Sequence, residues 1–465
     1  MTMMPFSIGA KATKGSNLIV PIGATVGDAI RTIESGVVQT AFVVDENLVL
    51  LGIVTNGDVR RFLLAGGDIE SEVDAALNRN FKSVRVDAPR EESLRLFDMG
   101  YSVVPRLDAQ GRLVDLLTPE SRQDFERISR VVARGRAPAR ISFAGGGTDL
   151  TYFFSRSKGL VLNAAIARYS VTTLIPRDTS DIDIYSHDLG RHQHFASPRA
   201  MVKATDHGLL STTAALIKPG FGFEMHVSAD FPVGSGLGGS SAVVASILAA
   251  FNELRVDRWS AYEIAELAFQ AERLCFKIPG GWQDQYATAF GGFNLIEFMP
   301  SWNNVNALRL PDEVVFELEE SLILFDTGIA HDSGDLHRSQ KTEMSNCEGD
   351  EKLTRLTDFC IEMNRALARR DLRRFGEGLN QAWLLKKATS SRISNPVIEQ
   401  IYDAALAAGA LGGKLLGAGG GGHILFFAPP AARAAVIAAL RPFRCTPHTV
   451  RFDTKGAHSW RTTLQ

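Results

Sequence analysis

Between Ile19 and about Phe125 the apolar and polar positions trace one pattern twice. The first copy opens with a helix-like segment, Val26 to Ser35, ended by Gly36. An apolar run from Thr40 to Val44 predicts a strand, and Asp45-Glu46-Asn47 predicts a turn. A second strand, Val49 to Val54, leads through the polar turn Thr55-Asn56-Gly57-Asp58 into a helix ending at Leu64. The second copy places a helix near Glu91 to Met99, then Gly100 and a strand from Ser102 to Arg106. A turn at Asp108-Ala109-Gln110-Gly111 and a strand from Arg112 to Leu117 complete it. Recurrence at roughly 60 residues predicts two small α/β units packed about an approximate twofold axis.

Further along, the pattern changes. Residues 126 to 136 carry four arginines and little large apolar content, which predicts a solvated linker over 129–135. Val161 to Ile175, Ile182 to Ser186 and Phe223 to Ala229 read as strands. Ser241 to Leu254 reads as a buried helix after a glycine loop, and Ala261 to Phe276 as a second helix. Glu351 to Leu367, Leu372 to Lys387 and Asn395 to Ala408 read as three more. Strands and helices that do not alternate argue for an α+β fold rather than a βαβ wind. The expected organisation is a tail at 1–14, a paired module at 15–128, the linker, and two lobes at 136–310 and 311–465.

Composition narrows the function classes. The chain has 465 residues, 45% of them apolar and 22% charged, with a net charge of −2. That balance excludes disorder as the main state and offers no overall basic excess for nucleic acid. The apolar stretch Ala242 to Phe251 is shorter than the ~18 residues a membrane span needs. The first 20 residues lack the layout of a signal peptide. Cys275, Cys347, Cys360 and Cys445 are far apart with no CxxC pair, which reads as reduced thiols in a cytoplasmic protein.

Three glycine clusters carry the candidate chemistry. The central one, Pro232-Val-Gly-Ser-Gly-Leu-Gly-Gly-Ser-Ser-Ala242, follows a strand and opens an apolar helix. Its glycines let the backbone approach a ligand, and the helix start offers N–H groups and a positive dipole end to a polyphosphate. Gly234, Ser235, Gly236, Leu237, Gly238, Gly239, Ser240 and Ser241 are the candidate nucleotide-binding residues. The first cluster runs from Arg136 through Arg140 and Gly145-Gly-Gly-Thr to Asp149. Gly146, Gly147, Thr148 and Asp149 are candidates for an acceptor polyol, with Asp149 as a turn or cap residue the structural alternative. The last cluster is Lys414-Leu-Leu-Gly-Ala-Gly-Gly-Gly-Gly-His423. It contains a formal G-x-G-x-x-G, but a strand follows it rather than a helix, which rules out a dinucleotide loop. Gly419 and Gly420 join the acceptor candidates.

The front module, through F42-V-V-D45 and G52-I-V-T-N-G-D58-V-R-R61, resembles a CBS-domain pair. The resemblance implies that Asp58, with Thr55, holds the ribose of an adenine nucleotide, and that the chain forms a homodimer. The second copy reads L113-V-D-L-L-T118 and has no Asp at the matching turn. Asp58 as a helix cap is the alternative reading.

The three glycine clusters, in this order in one domain, resemble the GHMP kinase superfamily over about Ala137 to Phe452. The resemblance implies a two-lobed α+β kinase fold, ATP and Mg²⁺. It implies that Ser240 and Glu272 hold the metal, with Ser241 the neighbouring candidate, and that Asp284 faces the acceptor hydroxyl beside Arg140. The Gly145-Gly-Gly-Thr-Asp149 form and Q283-D-Q-Y-A-T-A-F-G-G-F-N294 are similar to the bacterial branch acting on D-glycero-D-manno-heptose 7-phosphate. The implied reaction is phosphorylation of that sugar's anomeric hydroxyl. Lys386, Lys387, Arg392 and Arg338 are candidate cations for the substrate phosphate. Trp282, two residues before Asp284, is a form shared with L-fucose kinases, so another sugar acceptor stays open. A non-catalytic adenylate or sugar sensor is the alternative outside the enzymes.

Overall fold

Each of two small three-stranded sheets in the front unit has two parallel strands and a third that turns back. The computed structural model describes residues 18–36, 38–88, 90–118, 131–329 and 347–463. Residues 18–118 and 131–463 form two separate compact units.

In the first unit Ile19–Pro21 runs parallel to Thr40–Val44, which is antiparallel to Leu50–Thr55. Val84–Arg85, Val104–Leu107 and Leu113–Leu117 repeat this arrangement. The bulge between Val43 and Val44 recurs between Arg106 and Leu107. Asp45 Oδ1 accepts the backbone N–H groups of Asn47 and Val49, both at 2.8 Å. Asp108 Oδ1 does the same for Gln110 and Arg112, both at 2.9 Å. The copies also bond reciprocally: Leu50 N donates to Gly111 O at 3.0 Å and Leu113 N to Leu48 O at 2.9 Å. That exchange sets the approximate twofold axis beside Val49 and Arg112.

An eight-stranded sheet anchors the second unit. Its spine is the long strand Gly159–Arg177. One half of that strand pairs with Phe293–Phe298, the other with Gly222–Ala229, and Val131–Ala144 follows its opposite edge. The expected linker at 129–135 is corrected: from Val131 onward the chain is already strand, and residues 129 and 130 lie outside the described residues. Arg134 and Arg136 are held rather than solvated. Arg134 Nη1 donates to Thr173 Oγ1 at 3.2 Å, and Arg136 lies over the Tyr169 ring at 4.3 Å. The C-terminal strand His458–Thr463 returns to pair with Val131–Ala144, so the last segment belongs to the first lobe's sheet.

The apolar helix Gly239–Asn252 lies directly on this sheet. A β-carbon on Gly135 would stand 2.0 Å from the Ser246 carbonyl oxygen, which explains the glycine there. The second lobe is a four-stranded antiparallel sheet in the order Gly412–Leu415, His423–Phe427, Leu322–Asp326, Thr446–Thr449. The helices Cys347–Ala368, Leu372–Lys387, Pro396–Ala407 and Pro430–Leu440 accompany it. One core joins the lobes. Phe143 of the first meets Phe375 of the second edge to face at 5.1 Å, and both are fully buried. Burying such a ring stabilises by about 1.5–3 kcal/mol. That shared core fixes the three glycine loops relative to one another.

Candidate active site

The helix Gly239–Asn252 begins at Gly238, whose φ of 72° is the left-handed conformation, and no side chain caps it among the described residues. Gly234, Ser235, Gly236, Gly238, Gly239 and Ser240 line a cleft of about 1230 Å³ into which this helix start opens. Uncapped N–H groups at a dipole's positive end suit an anion. Leu237 is buried beneath the loop, where its carbonyl accepts the Arg140 backbone N–H at 2.9 Å. The third cluster braces this loop from behind. His423 donates to Ser235 O from its backbone N at 3.0 Å and from Nδ1 at 2.8 Å. Burial pushes the His423 imidazole below its ordinary range, consistent with a neutral structural donor.

Arg140 and Asp284 meet in the same cleft. Arg140 Nε donates to Asp284 Oδ1 at 2.8 Å and Nη1 to Gly236 O at 2.7 Å. Asp284 sits in the first turn of the helix Gln283–Phe290. Asp149 holds that turn in place. Its Oδ2 accepts the Gln283 backbone N–H at 3.1 Å, and its Oδ1 accepts the Gly147 N–H at 3.0 Å and Gln283 Nε2 at 3.4 Å. An acid at a helix start is stabilising. Burial nevertheless pushes the Asp149 carboxyl up, with the Asp284 charge adding to the rise. Asp149 therefore caps the helix as well as lining the cleft. Gly281 is pressed against it: a β-carbon there would stand 2.0 Å from Asp149 Oδ2.

Glu272 is fully buried on a π-helical turn, Gln270–Cys275, in which Phe276 N reaches Ala271 O at 2.9 Å. Such wide turns recur at functional sites because they re-aim side chains. Glu272 Oε2 accepts from Ser241 Oγ at 2.6 Å and from Gln285 Nε2. Oε1 has no hydrogen-bond partner among the described residues, and Arg273 Nη1 stands 4.0 Å away. The hydroxyl bonded to Glu272 is thus that of Ser241, whereas Ser240 faces the cleft. A carboxylate oxygen left without a donor, beside the Ser241 hydroxyl, fits a hard divalent cation that takes few protein ligands.

The other candidates separate. Gly146 and Gly147 line the cleft. Thr148 does not: its single hydroxyl proton is shared between Gly145 O and Leu160 O, at 2.8 and 2.9 Å. Gly419 packs on the Ile393 backbone and Gly420 N donates to Ile393 O at 2.9 Å, which makes both supports of the third loop. Lys386 lines the cleft, while Lys387 pairs with Glu399 at 2.7 Å and Arg392 is exposed outside the cleft lining. Arg338 lies outside the described residues. Trp282 faces away: its Nε1 donates to Thr151 Oγ1 at 2.9 Å, and its ring stacks on Phe269.

Sequence reasoning missed Ser142, Gln283, Arg273 and Lys414, all of which line the cleft. Ser142 Oγ and Gln283 Oε1 are buried without a hydrogen-bond partner among the described residues. A β-carbon on Gly146 would stand 3.5 Å from Ser142 Oγ and 3.6 Å from Gln283 Nε2, so the glycine leaves both polar groups open. Only tertiary packing reveals them.

In the first unit Asp58 is a cap. Its Oδ2 accepts from Thr55 N at 2.9 Å and Thr55 Oγ1 at 2.5 Å, and its Oδ1 accepts from Arg61. Thr55 Oγ1 accepts the Asp58 N–H in return at 3.3 Å, closing a capping box. Oδ2 thus serves the cap with two donors, while Oδ1 has Arg61 alone and keeps acceptor capacity.

Among the described residues no helix is long and apolar enough to cross a membrane. No group of three or more His, Cys, Asp or Glu side chains forms a metal cluster among them. Comparison with known proteins matches residues 202–292 to the GHMP kinases N terminal domain and 363–444 to the GHMP kinases C terminal model. Residues 15–65 match the CBS domain. The chain is 35% identical to a D-glycero-alpha-D-manno-heptose 7-phosphate kinase from Campylobacter jejuni, over 70% of this chain and 98% of that protein. It is 28% identical to an L-fucokinase/L-fucose-1-P guanylyltransferase from Bacteroides fragilis, over 66% of this chain and 36% of that protein. A solved D-glycero-D-manno-heptose 1-phosphate kinase from Bacteroides thetaiotaomicron superposes with a TM-score of 0.60 at 30% identity, over 71% of this chain and all of that one.

Proposed function

Because this chain belongs to the GHMP kinase family, we propose that it transfers the γ-phosphoryl group of ATP to a hydroxyl of a sugar phosphate, with the anomeric hydroxyl of D-glycero-D-manno-heptose 7-phosphate as the leading acceptor. The observation that carries the reading is the Arg140–Asp284 pair, set in the same cleft as a glycine-capped helix start. The choice of acceptor rests on likeness to the heptose phosphate kinases.

Asp284 accepts the proton of the attacking hydroxyl, and Arg140 fixes the carboxylate's orientation while lending positive charge to the transition state. The helix start at Gly239 and the N–H groups of its loop bind the polyphosphate. Glu272, with Ser240 and Ser241, would hold Mg²⁺, which when bound neutralises phosphate charge. Ser142 and Gln283 offer polar groups to the acceptor's hydroxyls where Gly146 leaves room. The reaction's site within the sugar is tested by phosphorus NMR of the product: beside the resonance of the phosphate the acceptor already carries, a new resonance coupled to the anomeric proton is expected, and a new resonance coupled to any other carbinol proton would reassign the hydroxyl.

A further inference from the structure

Gly236 and Gly417 touch back to back. A β-carbon on Gly417 would stand 2.6 Å from the Gly236 Cα, and one on Gly236 would stand 2.9 Å from the Leu416 carbonyl oxygen. Each glycine gives its carbonyl oxygen to one buried cation. Arg140 Nη1 donates to Gly236 O at 2.7 Å, and Lys386 Nζ donates to Gly417 O at 2.5 Å. Arg140 comes from the first lobe's strand Val131–Ala144, and Lys386 from the last turn of the second lobe's helix Leu372–Lys387. Both line the cleft, at 4% and 7% exposure.

The two cations differ in their partners. Arg140 has the Asp284 carboxylate. Among the described residues the hydrogen bonds of Lys386 go to carbonyls alone, Gly417 O and Leu415 O, the latter at 3.3 Å. A carbonyl satisfies hydrogen bonding but carries no net charge, so burial of this ammonium is only partly compensated. Burial, then the charge of Arg140, lowers its pKa to about 7, against the opposing pull of Asp149 and Asp284. Burial, then the charge of Lys386, pushes the neighbouring Lys414 amine well below its ordinary range. An anion seated between Arg140 and Lys386 would relieve that repulsion from both sides.

We propose that Lys386 is a second cation for the transferring phosphoryl group, supplied by the C-terminal lobe opposite Arg140. This rests on the phosphoryl-transfer reading of the cleft. In the step, the acceptor oxygen bonds to the γ-phosphorus and the bond from that phosphorus to the leaving oxygen of ADP breaks. The hydroxyl proton passes to Asp284. Lys386 makes and breaks no covalent bond; its ammonium neutralises charge on the non-bridging oxygens. Because it arrives from the other lobe, the transferring group meets cations from both lobes.

Lys386→Gln separates this role from that of a strap, since its amide keeps an N–H for Gly417 O and removes the charge. A charge-assisted donor lost from such a site predicts a fall in kcat of about 100-fold. Acceptor KM and the Kd for ADP stay within about threefold, and ATP binding weakens relative to ADP because only ATP brings the γ-phosphoryl group to Lys386. A folded variant with wild-type kcat and an unchanged ratio of ATP to ADP affinity would overturn the proposal. Should the Gln variant fail to fold, Lys386→Met, which fills the same apolar stem, is read by the same two quantities. Failure of the wild-type chain to release ADP with any sugar or sugar phosphate would instead overturn the phosphoryl-transfer reading, and the binding ratio would still report on Lys386.

Discussion

Arg140 and Asp284, 144 residues apart in sequence, are joined by an Nε to Oδ1 hydrogen bond of 2.8 Å on the wall of the cleft. The bond links the strand Val131–Ala144 to the start of the helix Gln283–Phe290. With Arg140 also tied to Gly236 O, Asp284 and the central glycine loop share one anchor. Replacing Asp284 by Asn keeps the shape and removes the proton acceptor. The expected outcome is a loss of kcat of roughly 10²–10⁴ with unchanged ATP affinity. Steady-state kinetics and calorimetry check it; wild-type turnover in the variant would remove Asp284 from its role.

Gly281, three residues before Asp284, is tightly confined. A β-carbon there would stand 2.0 Å from Asp149 Oδ2, and that carboxylate is held by the N–H groups of Gly147 and Gln283. Gly281→Ala is expected to cost about 1–3 kcal/mol of stability by overpacking. It should also lower kcat by displacing Gln283 and Asp284. Urea denaturation with parallel kinetics checks both, and a variant as stable as wild type would show that the Asp149 contact yields freely.

Lys386 makes stability depend on pH in a stated direction. Its pKa falls from 10.5 to about 7 in the folded chain, mainly through burial. Between those values the unfolded chain binds more protons, so stability rises as pH increases from 7 toward 10. The slope from this one group is at most about 1.4 kcal/mol per pH unit. Lys386→Met should therefore show a shallower rise than wild type over this window. Equal slopes in urea midpoints would contradict the buried placement.

In the front unit Asp58 closes a capping box with Thr55 and is 8% exposed. Asp58→Ala is expected to cost about 1 kcal/mol through the lost cap. Thermal melting of the full chain checks this. Calorimetry with AMP, ADP and ATP on an Asp284→Asn, Asp58→Ala double variant and its Asp284→Asn parent asks separately whether Asp58 contributes to any adenylate site.

Much of the architecture was legible in the chain. The helices Val26–Ser35 and Leu372–Lys387 and the strands Thr40–Val44 and Ile182–Ser186 follow from local periodicity and end where it ends. The repeat in the front unit was legible because its Asp turns recur, and the reciprocal Leu50–Gly111 and Leu113–Leu48 bonds give it structural form. Arg140, Asp284 and the central glycine loop were legible from motif order and meet in one cleft. The strand over 131–135 was not, because the run of four arginines reads as solvated, whereas Arg134 is bonded to Thr173 and Arg136 lies over Tyr169 in a strand paired on both sides. Which of Ser240 and Ser241 meets Glu272 was not legible, since it depends on how the π-helical turn aims the carboxylate at the start of the neighbouring helix. Ser142, Gln283 and Lys414 become site residues only through burial against distant elements, which no local pattern records.

The central claim is tested most directly by a coupled ADP-release assay of the full chain with Mg-ATP, run against free and phosphorylated hexoses and heptoses with the Asp284→Asn variant in parallel. The account predicts ADP release with D-glycero-D-manno-heptose 7-phosphate, none above background with the free sugars, and none from the variant. Turnover confined to a free sugar such as L-fucose, or equal turnover by the variant, would contradict it.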